Sequence, residues 1–209
     1  MWFKNLQPYR LTETLELDLD KLNAAMAKQA FVPIGKSDLV SEGWTAPAPH
    51  APDLLAYRNA GAVLIALKTE EKILPASVVK QVADDRAAEI EEREFRKIGK
   101  KERKEIRERV AEELLPRAFS RSRVTRALVE PQTGWVWVDT SSASRAETLL
   151  SLLREALEHL PSRLLHTQQS PVTVMTNWLE NGADEGFTLD ADCELKAPGD
   201  EGAVIRCRR

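Results

Sequence analysis

Cysteine is nearly missing from this chain: Cys193 and Cys207 are the only two in 209 residues. Two cysteines build no disulfide framework, and with 30% charged residues the composition is that expected of a cytosolic protein. Histidine is scarce as well. His50, His159 and His166 stand at no metal-ligand spacing from a cysteine or from one another, so a zinc site is not expected. His159, near the end of a leucine-rich helical stretch, reads as a partner for a helix C-terminus rather than as a catalytic group. The nucleophile elbow G-x-S-x-G, the phosphate-cradling G-x-x-x-x-G-K-[ST] and the dinucleotide fingerprint G-x-G-x-x-G are all absent. The longest apolar run, Ala60 to Leu67, is far short of the roughly 18 residues of a membrane span. The opening MWFKNLQPYRL has neither an apolar core nor a small-residue cleavage site, so no signal peptide is expected. These absences point away from secreted, membrane and metal-dependent classes, and no cofactor is expected.

What is present is charge, unevenly placed. The formal net charge is −3. Residues 93–126, however, carry 13 Lys and Arg against 6 Asp and Glu, a local balance of +7. The remaining chain, with 17 basic and 27 acidic residues, stands at −10. An acidic body with one basic element is a pattern for directed contact with a polyanion.

The periodicities predict an α+β fold of mostly antiparallel sheets with packed helices and a projecting charged helical segment over about 76–115. The opening residues read as a strand, LDLDKLNAAMAKQAF as a helix capped by Asp18 or Asp20, and Val32 to Pro52 as irregular loop with one short strand. Ala62 to Leu67 is a buried strand. Helical signal runs from Ala76 to about Ile98 and, after Gly99, from about Lys100 to Leu115, where Pro116 stops it. The two helices are compatible with one kinked rod or an antiparallel hairpin. RVTRALVEPQTGWVWVDT reads as a β-hairpin turning at 131–134, and SASRAETLLSLLREALEHL as an amphipathic helix capped by Ser142 or Ser144. TNWLENG reads as a helical turn ended by Gly182, and the last residues as two short strands around Pro198-Gly199. The expected organisation is a discontinuous body, 1–75 and 120–209, interrupted by a helical tip-like segment, 76–119.

The carboxylate pairs Asp84-Asp85 and Glu91-Glu92 are of the kind nucleases use to hold Mg²⁺. They lie in a helix dense with charge, where neighbours point about 100° apart, so a solvated acidic face is the better reading and no enzyme activity is expected. The basic segment is more informative. Lys100, Arg103, Lys104 and Arg107 share one helical arc, with Lys97 and Lys101 nearby and Ile106, Val110 and Leu114 as an apolar stripe beside them. Beyond Pro116 come Arg117, Arg121 and Arg123, with no acid between 114 and 129. Guanidinium forks suit phosphates, and unpaired arginines crowded together repel unless an anion relieves them. Interleaved aromatics for base stacking are lacking, since only Phe95 and Phe119 fall in the segment, so phosphate-led duplex binding fits better than single-strand binding. An adaptor whose basic helix docks an acidic protein is the alternative. Phe119, ringed by arginines, is open to three readings: a core residue, a self-association anchor, or part of a polyanion surface.

MWFKNLQPYRL at the start, EEKILP at 70–75, LLPRAFSR at 114–121, SASRAETLLSLLREAL at 142–157, DADCEL at 190–195 and the closing GAVIRCRR resemble, in order and spacing, the recombination-associated protein RdgC family. The resemblance covers the family's N-terminal two thirds; its members continue beyond the point where this chain stops at Arg208-Arg209. It implies a nucleoid-associated, cytoplasmic protein that binds double-stranded DNA with little sequence preference. It further implies a ring-shaped homodimer encircling the duplex and restraining RecA-promoted recombination. On that reading Phe119 is a dimer contact. Lys97, Lys100, Lys101, Arg103, Lys104, Arg107, Arg117, Arg121, Arg123, Arg208 and Arg209 are the expected DNA-binding residues.

Overall fold

A computed structural model of the protein describes residues 3–197 and 203–208. Its elements run β1 Gln7–Leu11, α1 Leu19–Ala27, β2 Val40–Thr45, β3 Ala56–Asn59, β4 Ala62–Ile73, α2 Ala76–Glu94 and α3 Lys100–Leu114. A single 3-10 turn, Leu115–Arg117, leads into β5 Phe119–Glu130, followed by β6 Trp135–Val138, α4 Ala143–Leu157 and β7 Ser162–Leu164. The chain from Leu165 onward forms a second compact unit containing α5 Pro171–Asn181 and the antiparallel pair β8 Cys193–Lys196 and β9 Val204–Cys207. The fold is α+β, and every ladder between its strands is antiparallel.

In the first unit the strands form a sheet in the order β2-β4-β5-β6-β1-β7, with β3 sharing the outer edge of β4. Alternation along the strands decides which face is buried. Val63, Ile65 and Leu67 of β4 stand opposite Val129, Ala127 and Thr125 of β5, and Val136 and Val138 of β6 fall on the same side. Leu22 and Met26 of α1 and Ala146, Leu149, Leu150 and Leu153 of α4 close over that face in one core. Both helices start as the sequence predicts. Asp18 accepts from the amides of Asp20 and Lys21, and Ser142 Oγ accepts from the amide of Arg145, which satisfies otherwise orphaned donors.

Two strand boundaries differ from expectation, for one reason. The apolar run ends at Leu67, but β4 continues through Lys68–Ile73 because β5, starting already at Phe119, pairs with it along its whole length, Val63 with Val129 through Ile73 with Phe119. The strand leaves the core and carries on as a polar ribbon. From the end of that ribbon spring α2 and α3.

Candidate nucleic-acid interface

Between rod and hairpin, the structure chooses the hairpin. α2 stops at Glu94 because Phe95 takes a left-handed conformation, φ 49°, and the chain reverses before Gly99 opens α3. Val79, Ala83 and Ala87 recur every four residues along α2, and these small side chains pack against Ile106 and Val110 of α3. Ile98 plugs the turn end, giving the hairpin its own buried cluster, separate from that of the sheet. The stripe read beside the basic arc is therefore what docks α3, and docking it leaves the arc in solvent.

An ionic clasp holds the turn. Glu91 Oε1 accepts from the amide of Ile98 and from Arg103 Nη2, each at 2.9 Å. Arg96 reaches Glu94 at 2.7 Å and makes two parallel bonds to Glu102 at 2.6 and 2.7 Å. The backbone bond from Ile98, with help from Arg103, holds the Glu91 carboxyl below the usual carboxylate range; Arg96 does the same for Glu94 and Glu102.

The expected DNA-binding residues divide into two groups. Arg103 is tied to Glu91, Lys104 lies 3.6 Å from Glu108, and Arg123 lies 3.8 Å from Glu71 of β4. The last pair corrects a reading of the sequence: no acid is near Arg123 along the chain, but strand pairing brings one from 52 positions away. Lys97, Lys100, Lys101, Arg107, Arg117 and Arg121 are exposed and, among the described residues, have no carboxylate within ion-pair distance. Exposed pairs of the first kind are weak and exchange readily for a stronger anion, whereas the second group is uncommitted. Arg208 is exposed in the second unit, and Arg209 lies outside the described residues.

Phe119 opens β5 and is 85% exposed, so it is no core residue of this chain. Across the ladder stands Ile73, 47% exposed. Alternation puts Phe119, Arg121 and Arg123 on one face of β5, with Ser120 and Ser122 on the other. An apolar pair and a row of guanidiniums thus adjoin at the base of the hairpin. A second exposed aromatic, Phe95 at 95%, sits at the hairpin turn. Its position was hidden in the sequence because a helix running to about 98 would have placed it within the last helical turn.

The family model described as "RdgC: Putative exonuclease, RdgC" matches residues 1–209. The chain belongs to the RdgC family. It is similar to the recombination-associated protein RdgC of Laribacter hongkongensis, 48% identical over 209 residues, covering all of this chain and 70% of that protein. The protein of the same name from Cupriavidus necator is 42% identical over 207 residues, 99% of this chain and 69% of its own length. That of Pseudomonas aeruginosa PAO1 is 41% identical over 212 residues, with 100% and 69% covered.

Asp84, Asp85 and Glu92 are exposed on α2, and Glu91 is occupied by the Ile98 amide and Arg103. Among the described residues no group of three or more His, Cys, Asp or Glu side chains converges so as to hold a metal ion, and no helix is long and apolar enough to cross a membrane. His159 stands 3.7 Å from Glu13, beyond the end of α4.

Proposed function

We propose that this RdgC-family protein binds double-stranded DNA without sequence preference, as a homodimer that clamps or encircles the duplex, with no catalytic step. By occupying duplex on the nucleoid it restrains RecA-dependent recombination. The observation that carries the reading is the set of uncommitted cations, Lys97, Lys100, Lys101, Arg107, Arg117 and Arg121, on the helical hairpin and the ribbon that bears it, in a chain whose remainder is acidic. Such a set neutralises phosphates and releases counterions, which is binding energy of the sequence-independent kind. The name of the relatives, recombination-associated protein, agrees with a duplex substrate.

Phe119 and Ile73 supply the dimer half of the proposal. An aromatic and an aliphatic side chain exposed together and ringed by polar groups have the make-up of an association hot spot. Along a strand, residues two apart are about 7 Å apart, so a subunit contact at Phe119 lies next to a phosphate contact at Arg121. Dimer closure and DNA contact are then coupled. Sedimentation with and without random-sequence duplex tests this: the proposal predicts a dimer that binds as a dimer, whereas a monomer that binds with undiminished affinity contradicts it. Degradation of the duplex by purified protein contradicts the absence of a catalytic step.

A further inference from the structure

The face of the ribbon that carries Arg121 and Arg123 also walls a cleft of about 180 Å³, closed on its other side by the first turns of α4. The cleft exists because this face turns polar just past Leu67 while the strands continue. Past Leu67 and Thr125, the paired residues are Thr69 with Arg123 and Glu71 with Arg121, all on the side that α4 approaches. Arg145 and Thr148, three apart on α4 and so on one side of it, complete the lining.

Three arginines, Arg121, Arg123 and Arg145, line it together with two glutamates, Glu42 and Glu71. Glu71 is engaged with Arg123, while Arg121 and Arg145 have no carboxylate partner among the described residues. Thr125 is only 6% exposed, and neither it nor Thr69 makes a side-chain hydrogen bond in the described residues. The Thr125 hydroxyl is reached by solvent and, like that of Thr69, is free to donate. Thr148 already donates to the carbonyl of Ser144 at 3.1 Å and so is no donor for an anion. The residues with free donors are thus two arginines and two threonines, bordering a space smaller than the roughly 300–1,000 Å³ of a pocket for a drug-sized ligand. That suits one tetrahedral oxyanion, not a whole nucleotide.

We propose that this cleft binds a phosphate group through Arg121, Arg145, Thr69 and Thr125, and that in the DNA complex the phosphate belongs to the duplex backbone. The second half rests on the duplex-binding reading above; the first does not. Arg145 lies 22 residues from the nearest expected DNA-binding residue in sequence, and only the packing of α4 on the sheet brings it to Arg123.

Two measurements on the whole chain test it. In the first, inorganic phosphate is titrated at constant ionic strength while side-chain and backbone resonances are followed. The resonances of Thr69, Thr125 and Arg145 should shift saturably, and Arg145→Gln should abolish the shift, whereas Lys100→Gln should leave it intact. In the second, Arg145→Gln should weaken binding to unrelated duplex sequences alike, about tenfold at low salt, and flatten the salt slope by about 0.9. Arg145→Lys, which keeps the charge but loses the fork, should recover the slope and only part of the affinity. Absence of a saturable phosphate shift overturns the cleft, even if duplex binding falls. A phosphate shift with unchanged duplex binding overturns the assignment to the DNA backbone and leaves a site for free phosphate. If the unaltered chain retains no duplex at all, the function proposed above fails, while the phosphate titration still decides the cleft.

Discussion

Phe119 stands directly across the β4–β5 ladder from Ile73, and both side chains are in solvent, 85% and 47% exposed. Of this pair at the mouth of a charged ribbon, Phe119 buries little within the chain. Phe119→Ser should therefore leave the thermal midpoint of the monomer nearly unchanged. Dimerisation should fall by about 30-fold to 1,000-fold, the equivalent of losing about 2–4 kcal/mol at a hot-spot aromatic. Duplex retention should fall with it, and release from circular duplex should quicken. Sedimentation and a melting curve on the same sample check both halves; a dimer of normal strength contradicts the interface assignment.

Charge on α3 gives a second expectation. Replacing Lys100, Lys104 and Arg107 together by Gln should weaken binding to all duplex sequences equally and flatten the salt slope by about 0.9 for each phosphate left without its cation. Because Lys104 is shared with Glu108, the Lys100/Arg107 double substitution should account for most of the change. Affinity that falls for some sequences and holds for others would mean that these side chains read bases.

The turn of the hairpin should be acid-sensitive. The folded pKa of Glu91 is lowered, so the stability it contributes is fully present above the ordinary carboxylate range and is lost as pH falls through the lowered value. Hydrogen exchange of the Ile98 amide, corrected for its intrinsic rate, should show protection near neutrality that declines as pH is taken from about 5 toward about 3. In Glu91→Gln that protection should be weaker at neutral pH and nearly independent of pH. Equal protection in both proteins would show that the carboxylate does not hold the turn.

Much of this was legible in the sequence. Local signals placed α4, a serine cap at 142 or 144, the 131–134 turn and the docking stripe Ile106/Val110, because caps, turn chemistry and helical period act over a few residues. The basic segment was legible for the same reason. Long-range pairing was not. Nothing near Arg123 announces Glu71, and nothing near Arg145 announces Arg121, since both meetings are set by strand register and by the seating of α4. The choice between rod and hairpin was equally hidden, because the left-handed Phe95 that reverses the chain is not a glycine.

The most direct test of duplex binding is its salt dependence on random-sequence DNA. The logarithm of the association constant should fall linearly with the logarithm of salt concentration, at about −0.9 per phosphate contact, with the same slope for unrelated sequences. A flat response, or no retention on duplex even at low salt, would contradict the central claim.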